Sequence, residues 1–255
     1  MKLFFQEYGT GQPLIILHGM LGTLDNWHTL SKRFAASYRV LAADLRNHGR
    51  SPHTDTLSYE RMAGDVLELM DSQNVDSAHV LGHSMGGKVA MTLALANPSR
   101  VGKLVVVDIA PRSYHQLHDE LLEALMSIDL ALYQSRHQVD EVLGGSIPDR
   151  AVRQFLMKNL ARNESGALFW KANLATISKN DEELSVEIVA TEPFMKPTLF
   201  IKGNRSEYIV ESDTPLIKKL FPNARIEAID AGHWVHAESP ARFAEAVEQF
   251  LRTAS

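Results

Sequence analysis

The chain has 255 residues, 45% of them hydrophobic and 22% charged, with a net charge of −5 and no cysteine. That length gives one large domain, or a domain with a moderate insertion, and its apolar content excludes a disordered chain. The charge leaves no basic footprint for nucleic acid, and the missing cysteines exclude disulfides, thiolate metal sites and a cysteine nucleophile.

From the start, Leu3 to Tyr8 reads as a strand closed by the turn Gly9-Thr10-Gly11. This opening lacks the apolar run and small-residue cleavage site of a signal peptide. No stretch approaches the roughly 18 apolar residues of a membrane helix. The expected location is cytoplasmic. Leu14 to Leu17, Tyr38 to Asp44, Ala78 to Leu81 and Lys103 to Asp108 follow as apolar runs without alternation. Such runs suit parallel strands covered on both faces. Trp27 to Ala36, Tyr59 to Ser72 and Ser84 to Ala96 carry helical patterns between them, the last stopping before Pro98. Strand and helix in alternation predict an α/β chain. Its sheet is doubly wound and mostly parallel, of seven or eight strands, with helices on both faces.

The rhythm changes after Pro111. Residues 112–190 show helical patterns at Glu120 to Ile128, Gln138 to Leu143 and Asp149 to Leu160, and no convincing strand pair. Strands return at Thr198 to Lys202 and Arg225 to Ile229, and Pro240 to Leu251 reads as a final amphipathic helix behind Ser239. The expected organisation is a core of residues 1–111 and 191–255 interrupted by a helical cap, 112–190. Within the cap, Leu156, Leu160, Phe169, Trp170 and Leu174 line either the site or, for most of them, the cap's own core.

The strongest chemical signal is Gly82-His83-Ser84-Met85-Gly86, a G-x-S-x-G string between an apolar strand and a helix. A nucleophile on so sharp a turn needs small residues two before and two after it. Ser84 is the candidate nucleophile, and the Met85 N–H would face a developing oxyanion. His18-Gly19-Met20 follows the second strand, and the Met20 N–H is the candidate second donor; each such donor contributes about 3–4 kcal/mol in the transition state. The His18 side chain reads instead as a loop brace. Ala231-Gly232-His233-Trp234 follows the last strand and offers His233 as general base. His236, three residues on, lacks a third partner for a metal site. His83, beside the nucleophile, lines the site without taking part.

Taken in order, these strings resemble the α/β-hydrolase superfamily over nearly the whole chain. A closer similarity is to YbfF-type serine esterases, through DLRNHGRSPH (44–53), GHSMGGKVAM (82–91), VVVDIAP (105–111), FLMKNL (155–160) and FWKANL (169–174). The resemblance implies esterase or thioesterase activity on small acyl substrates through a Ser-His-Asp triad, with no cofactor and no metal. It implies neither a monomer nor a dimer. The superfamily's acid usually stands after the strand at Thr198 to Lys202, in a G-x-x-D arrangement, and here Ser206 occupies that place. Asp108 is the expected acid, with Glu207 and Asp213 as rivals. Asp44 reads as a brace for the Arg46 to Ser51 loop. C–C hydrolysis, perhydrolysis, a lyase step or a non-enzymatic ligand-binding role remain alternatives on this fold.

Overall fold

The computed structural model describes residues 1–114 and 119–253. Its strands are β1 (Phe5–Tyr8), β2 (Gln12–Leu17), β3 (Tyr38–Ala43), β4 (Ala78–His83), β5 (Val101–Val107), β6 (Leu160–Arg162), β7 (Leu168–Trp170), β8 (Thr198–Gly203) and β9 (Ala224–Ile229). Among the described residues seven of them form one sheet in the order β1-β3-β2-β4-β5-β8-β9. Within this sheet only β1 runs antiparallel to its neighbour.

The unbroken apolar runs have their explanation in the packing. Leu14, Ile16, Val105, Val107, Leu199 and Ile201 belong to one buried cluster, and Ile15, Leu17, Leu104, Val106 and Phe200 to the other. Alternate side chains therefore point to opposite faces, and both faces are dry. Helices α1 (His28–Phe34) and α11 (Pro240–Arg252) cover the first face through Leu30, Phe34, Phe243 and Val247. Helices α2 (Tyr59–Ser72) and α3 (Met85–Ala96) cover the second through Met62, Val66, Val89 and Leu93. Full burial of each such side chain is worth about 1.5–3 kcal/mol.

Between β5 and β8 lie α4 (Asp119–Met126), α5 (Arg136–Ser146), α6 (Arg150–Leu156), α7 (Leu174–Lys179) and α8 (Asp181–Ser185). Side-chain caps from Ser135, Asp149 and Asn173 start α5, α6 and α7. This segment also contains a strand pair that its sequence does not announce: β6 and β7 pair antiparallel. The expected helix over Asp149 to Leu160 ends at Leu156, and a 3-10 turn leads into β6. Three residues are too few to show alternation. The turn does leave a trace, since Gly166 has φ +83° and the Asn163 side chain accepts the Ala167 N–H. Helices α9 (Thr214–Leu220) and α10 (Val235–Glu238) complete the chain.

The segment is tied across the carboxyl ends of the strands. Asn159 donates its side-chain amide to Leu21 O, the Asn173 N–H donates to Asn47 O, and Tyr59 OH donates to Leu184 O. Its two legs are joined by the Tyr114 N–H to Ser185 O and the Ile188 N–H to Pro111 O. No helix among the described residues is long and apolar enough to cross a membrane.

Candidate active site

The candidate residues sit on loops leaving the same sheet edge, as expected for ligand sites on parallel sheets. Ser84 stands between β4 and α3 with φ +52° and ψ −120°. The flanking glycines follow from crowding. A Cβ on Gly82 would lie 2.7 Å from the Gly87 nitrogen, and one on Gly86 would lie 2.6 Å from the Leu17 carbonyl oxygen. Gly19 is held as tightly, since its Cβ would meet His83 Nδ1 at 2.7 Å. Met85 opens α3, so its amide has no partner within the helix. Met20 and Met85 line one small cavity with Ser84.

The loop carrying Met20 is fixed by two buried histidines. Leu45 N–H donates to His18 Nε2 and Leu21 N–H to His48 Nε2. Each ring therefore carries its proton on Nδ1, donating to Gly19 O from His18 and to Arg46 O from His48. Burial lowers His18 to about 4 and His48 to about 3, so both stay neutral. Asp44 accepts the Leu24 and Arg50 N–H groups, bracing the loop that follows β3.

His233 follows β9. Its Nδ1 donates to Asp108 Oδ2 at 2.8 Å, which leaves Nε2 as the acceptor. Asp108 is fully buried, with φ +50°, and its other oxygen accepts the Gly203 N–H at 2.9 Å. Ser206, at the usual place of the acid, donates its hydroxyl to Asp108 Oδ2. Burial raises the Asp108 carboxyl, opposed by the Ser206 and Gly203 donors and by Lys202. Burial lowers the His233 imidazole. The resting pair at neutral pH is a carboxylate and a neutral ring, with the carboxylate placed to favour an imidazolium once one forms.

The rivals point elsewhere. Asp213 pairs with Arg112 at 3.0 Å and accepts the Val210 N–H, while Glu207 is exposed. His83 bonds through Nε2 to His233 O, and its ring lies 4.7 Å from the His233 ring. Trp234 meets His233 edge-on and packs 5.6 Å from Phe155. His236 stacks on Trp27 at 4.2 Å. Among the described residues no three His, Asp or Glu side chains form a metal-holding group.

Two neighbours, Tyr208 and Lys88, escaped the sequence reading, and so did the contact that Ser206 makes. Tyr208 stacks on the His233 ring at 3.7 Å. Ser206 bonds Asp108, the candidate acid. Lys88, one turn along α3 from Ser84, is buried and lines the same cavity. Its Nζ donates to Arg112 O at 2.8 Å and to Val186 O, near the rings of Tyr59 and Tyr114. Burial pulls it down to about 7, helped by Arg112 and opposed by Glu187. A lysine inside the GHSMGGK string, on the buried side of a helix, was the available signal.

A strained serine at a strand-to-helix turn and a hydrogen-bonded histidine–carboxylate pair, all after the carboxyl ends of strands of one sheet, resemble a serine-hydrolase site. A family model described as alpha/beta hydrolase fold matches residues 12–240, and the chain belongs to that family. It is similar to a solved structure described as a marine microorganism esterase: 42% identity, TM-score 0.96, covering 98% of this chain and 99% of that one. It is 37% identical to the sn-1-specific diacylglycerol lipase ABHD11 of Danio rerio, over 97% of this chain and 81% of that protein. To esterase YbfF of Escherichia coli K12 it is 34% identical, over 96% of this chain and 95% of that protein.

Proposed function

We propose that this chain hydrolyses carboxylic esters, and acyl thioesters by the same chemistry, through an acyl-enzyme on Ser84. The observation that carries this reading is the His233–Asp108 bond at the sheet edge where Ser84 heads α3. The names of the esterase and lipase relatives agree with it. In this mechanism His233 Nε2 takes the Ser84 proton as Oγ attacks the carbonyl carbon. Asp108 holds the ring's tautomer and offsets the imidazolium charge. The Met20 and Met85 N–H groups receive the oxyanion. His233 then protonates the leaving oxygen or sulfur, and water releases the acid in a second, equivalent round. Residues 112–190 act as a cap over the site.

The test is fluorophosphonate labelling beside turnover of p-nitrophenyl acetate. Ser84→Ala is expected to abolish labelling and to lower kcat by about 10⁵–10⁶-fold. Labelling that persists in Ser84→Ala would assign the nucleophile elsewhere.

A further inference from the structure

The space around the site is strongly unequal on its two sides. Ser84 lines a cavity of about 20 Å³, walled by Met20, Met85, Lys88, Leu184 and Tyr208. His233 is not part of that wall. It lines instead two open spaces, one of about 570 Å³ with Phe155, Lys158 and Trp234, and one of about 370 Å³ with Ser206 and Tyr208. The Ser84 side is therefore the confined one.

The chemistry assigns the two spaces. When the tetrahedral intermediate collapses, the Ser84 Oγ–acyl bond is kept and the bond from carbonyl carbon to alcohol oxygen breaks. The proton that left Ser84 passes from His233 Nε2 to that oxygen. The alcohol must therefore lie on the His233 side, and the acyl group stays with Ser84. Lys88 makes one wall of the acyl side unyielding. The Met20, Met85 and Leu184 side chains can shift, but Lys88 Nζ is bonded to Arg112 O and Val186 O. Those carbonyls belong to the two legs of the 112–190 segment. An acyl chain long enough to press on that wall would have to break those hydrogen bonds and part the legs.

Resting on the ester-hydrolase reading above, we propose that the Ser84 cavity is a confined site for short acyl groups with Lys88 as its fixed wall, and that the bulk of the substrate is its alcohol, held in the open space beside His233. Lys88 is then a specificity-determining residue of this enzyme.

Two isomeric esters test it, because composition and hydrophobicity are matched and only the ester's direction differs. Hexyl acetate is expected to be hydrolysed with kcat/KM at least about tenfold above that of ethyl hexanoate, measured by acid release in a pH-stat. Leu184→Ala, which widens the cavity without touching the Lys88 bonds, should narrow that ratio, and Lys88→Met should narrow it as well. Equal rates on the two esters, or a preference for ethyl hexanoate, with Ser84 still labelled by fluorophosphonate, would overturn the acyl assignment and leave the ester reading standing. An unchanged ratio in both folded variants would remove Lys88 and the cavity wall from specificity. No ester turnover and no labelled Ser84 would overturn both readings.

Discussion

The chain ends two neighbouring strands in nearly the same way, at Ser84 and at Asp108. β4 and β5 pair in register with His83 opposite Val107, so the two residues leave the sheet side by side. Each extends the ladder by one bond before turning: Ser84 N–H donates to Val107 O, and Asp108 N–H to Ile201 O. Each then adopts positive φ, +52° and +50°, at a cost of about 1–3 kcal/mol for a residue with a side chain. The surroundings differ. After Ser84 a helix begins at once and packs back against the end of β2, so that Gly86 has no room for a Cβ. After Asp108 the chain runs on through Ile109, Ala110 and Pro111 toward the 112–190 segment. Equal strain therefore leaves an unequal mark. The crowded turn writes glycines into the sequence, and the open one writes nothing.

Asp108→Asn breaks the chemical half of this pairing and leaves the turn intact, because asparagine tolerates positive φ. The variant is expected to melt close to the wild type and to lose about 10⁴-fold in kcat/KM toward p-nitrophenyl acetate. Glu207→Gln and Asp213→Asn should stay within about threefold, consistent with roles outside the charge balance of His233. A severe loss in Glu207→Gln, with Asp108→Asn active, would move the acid to the loop after β8.

Gly82→Ala breaks the structural half. The added methyl would crowd the Gly86 carbonyl and the Gly87 nitrogen, and backbone on both sides leaves nothing flexible to yield. A loss of about 3–5 kcal/mol in urea unfolding is expected, placing it among the most damaging single substitutions. A loss below about 1 kcal/mol would mean that the elbow relaxes and that its glycines are not required by packing.

The same contrast explains what could be read from the residues alone. The strands were legible because a sheet buried on both faces demands long apolar runs, and Leu14 to Leu17 or Leu104 to Val107 have no other use. Ser84 was legible because Gly82 and Gly86 mark a place where backbone crowds backbone, and His233 because it directly follows the last strand. The β6–β7 pair was not, since three-residue strands carry no period and the pairing depends on the turn at Asn163 and Gly166. Asp108 had to be inferred from what was missing after Gly203. Ser206 and Lys88 reach partners 98 residues away along the chain, and Tyr208 meets His233 from a separate loop. No local pattern encodes such contacts.

Ser206 offers the smallest and sharpest probe of the acid. Its hydroxyl donates to Asp108 Oδ2, the oxygen that also takes His233 Nδ1–H. Burial pushes the Asp108 carboxyl up to about 6, and the Ser206 bond is the first of the interactions that hold it down. In the proposed mechanism ionised Asp108 is the active form, so its pKa should set the acid limb of the kcat/KM profile. Ser206→Ala removes a donor to the charged form, which raises that pKa and moves the limb to higher pH. A hydrogen bond to a charged group contributes about 1.5 kcal/mol, or roughly one pH unit. Activity at pH 6 should then fall by about fivefold, while activity at pH 9 changes by less than about twofold. An equal loss at both pH values would mean that the hydroxyl only supports the loop. An unmoved limb with full activity would mean that the Gly203 amide suffices to hold the carboxylate without the serine.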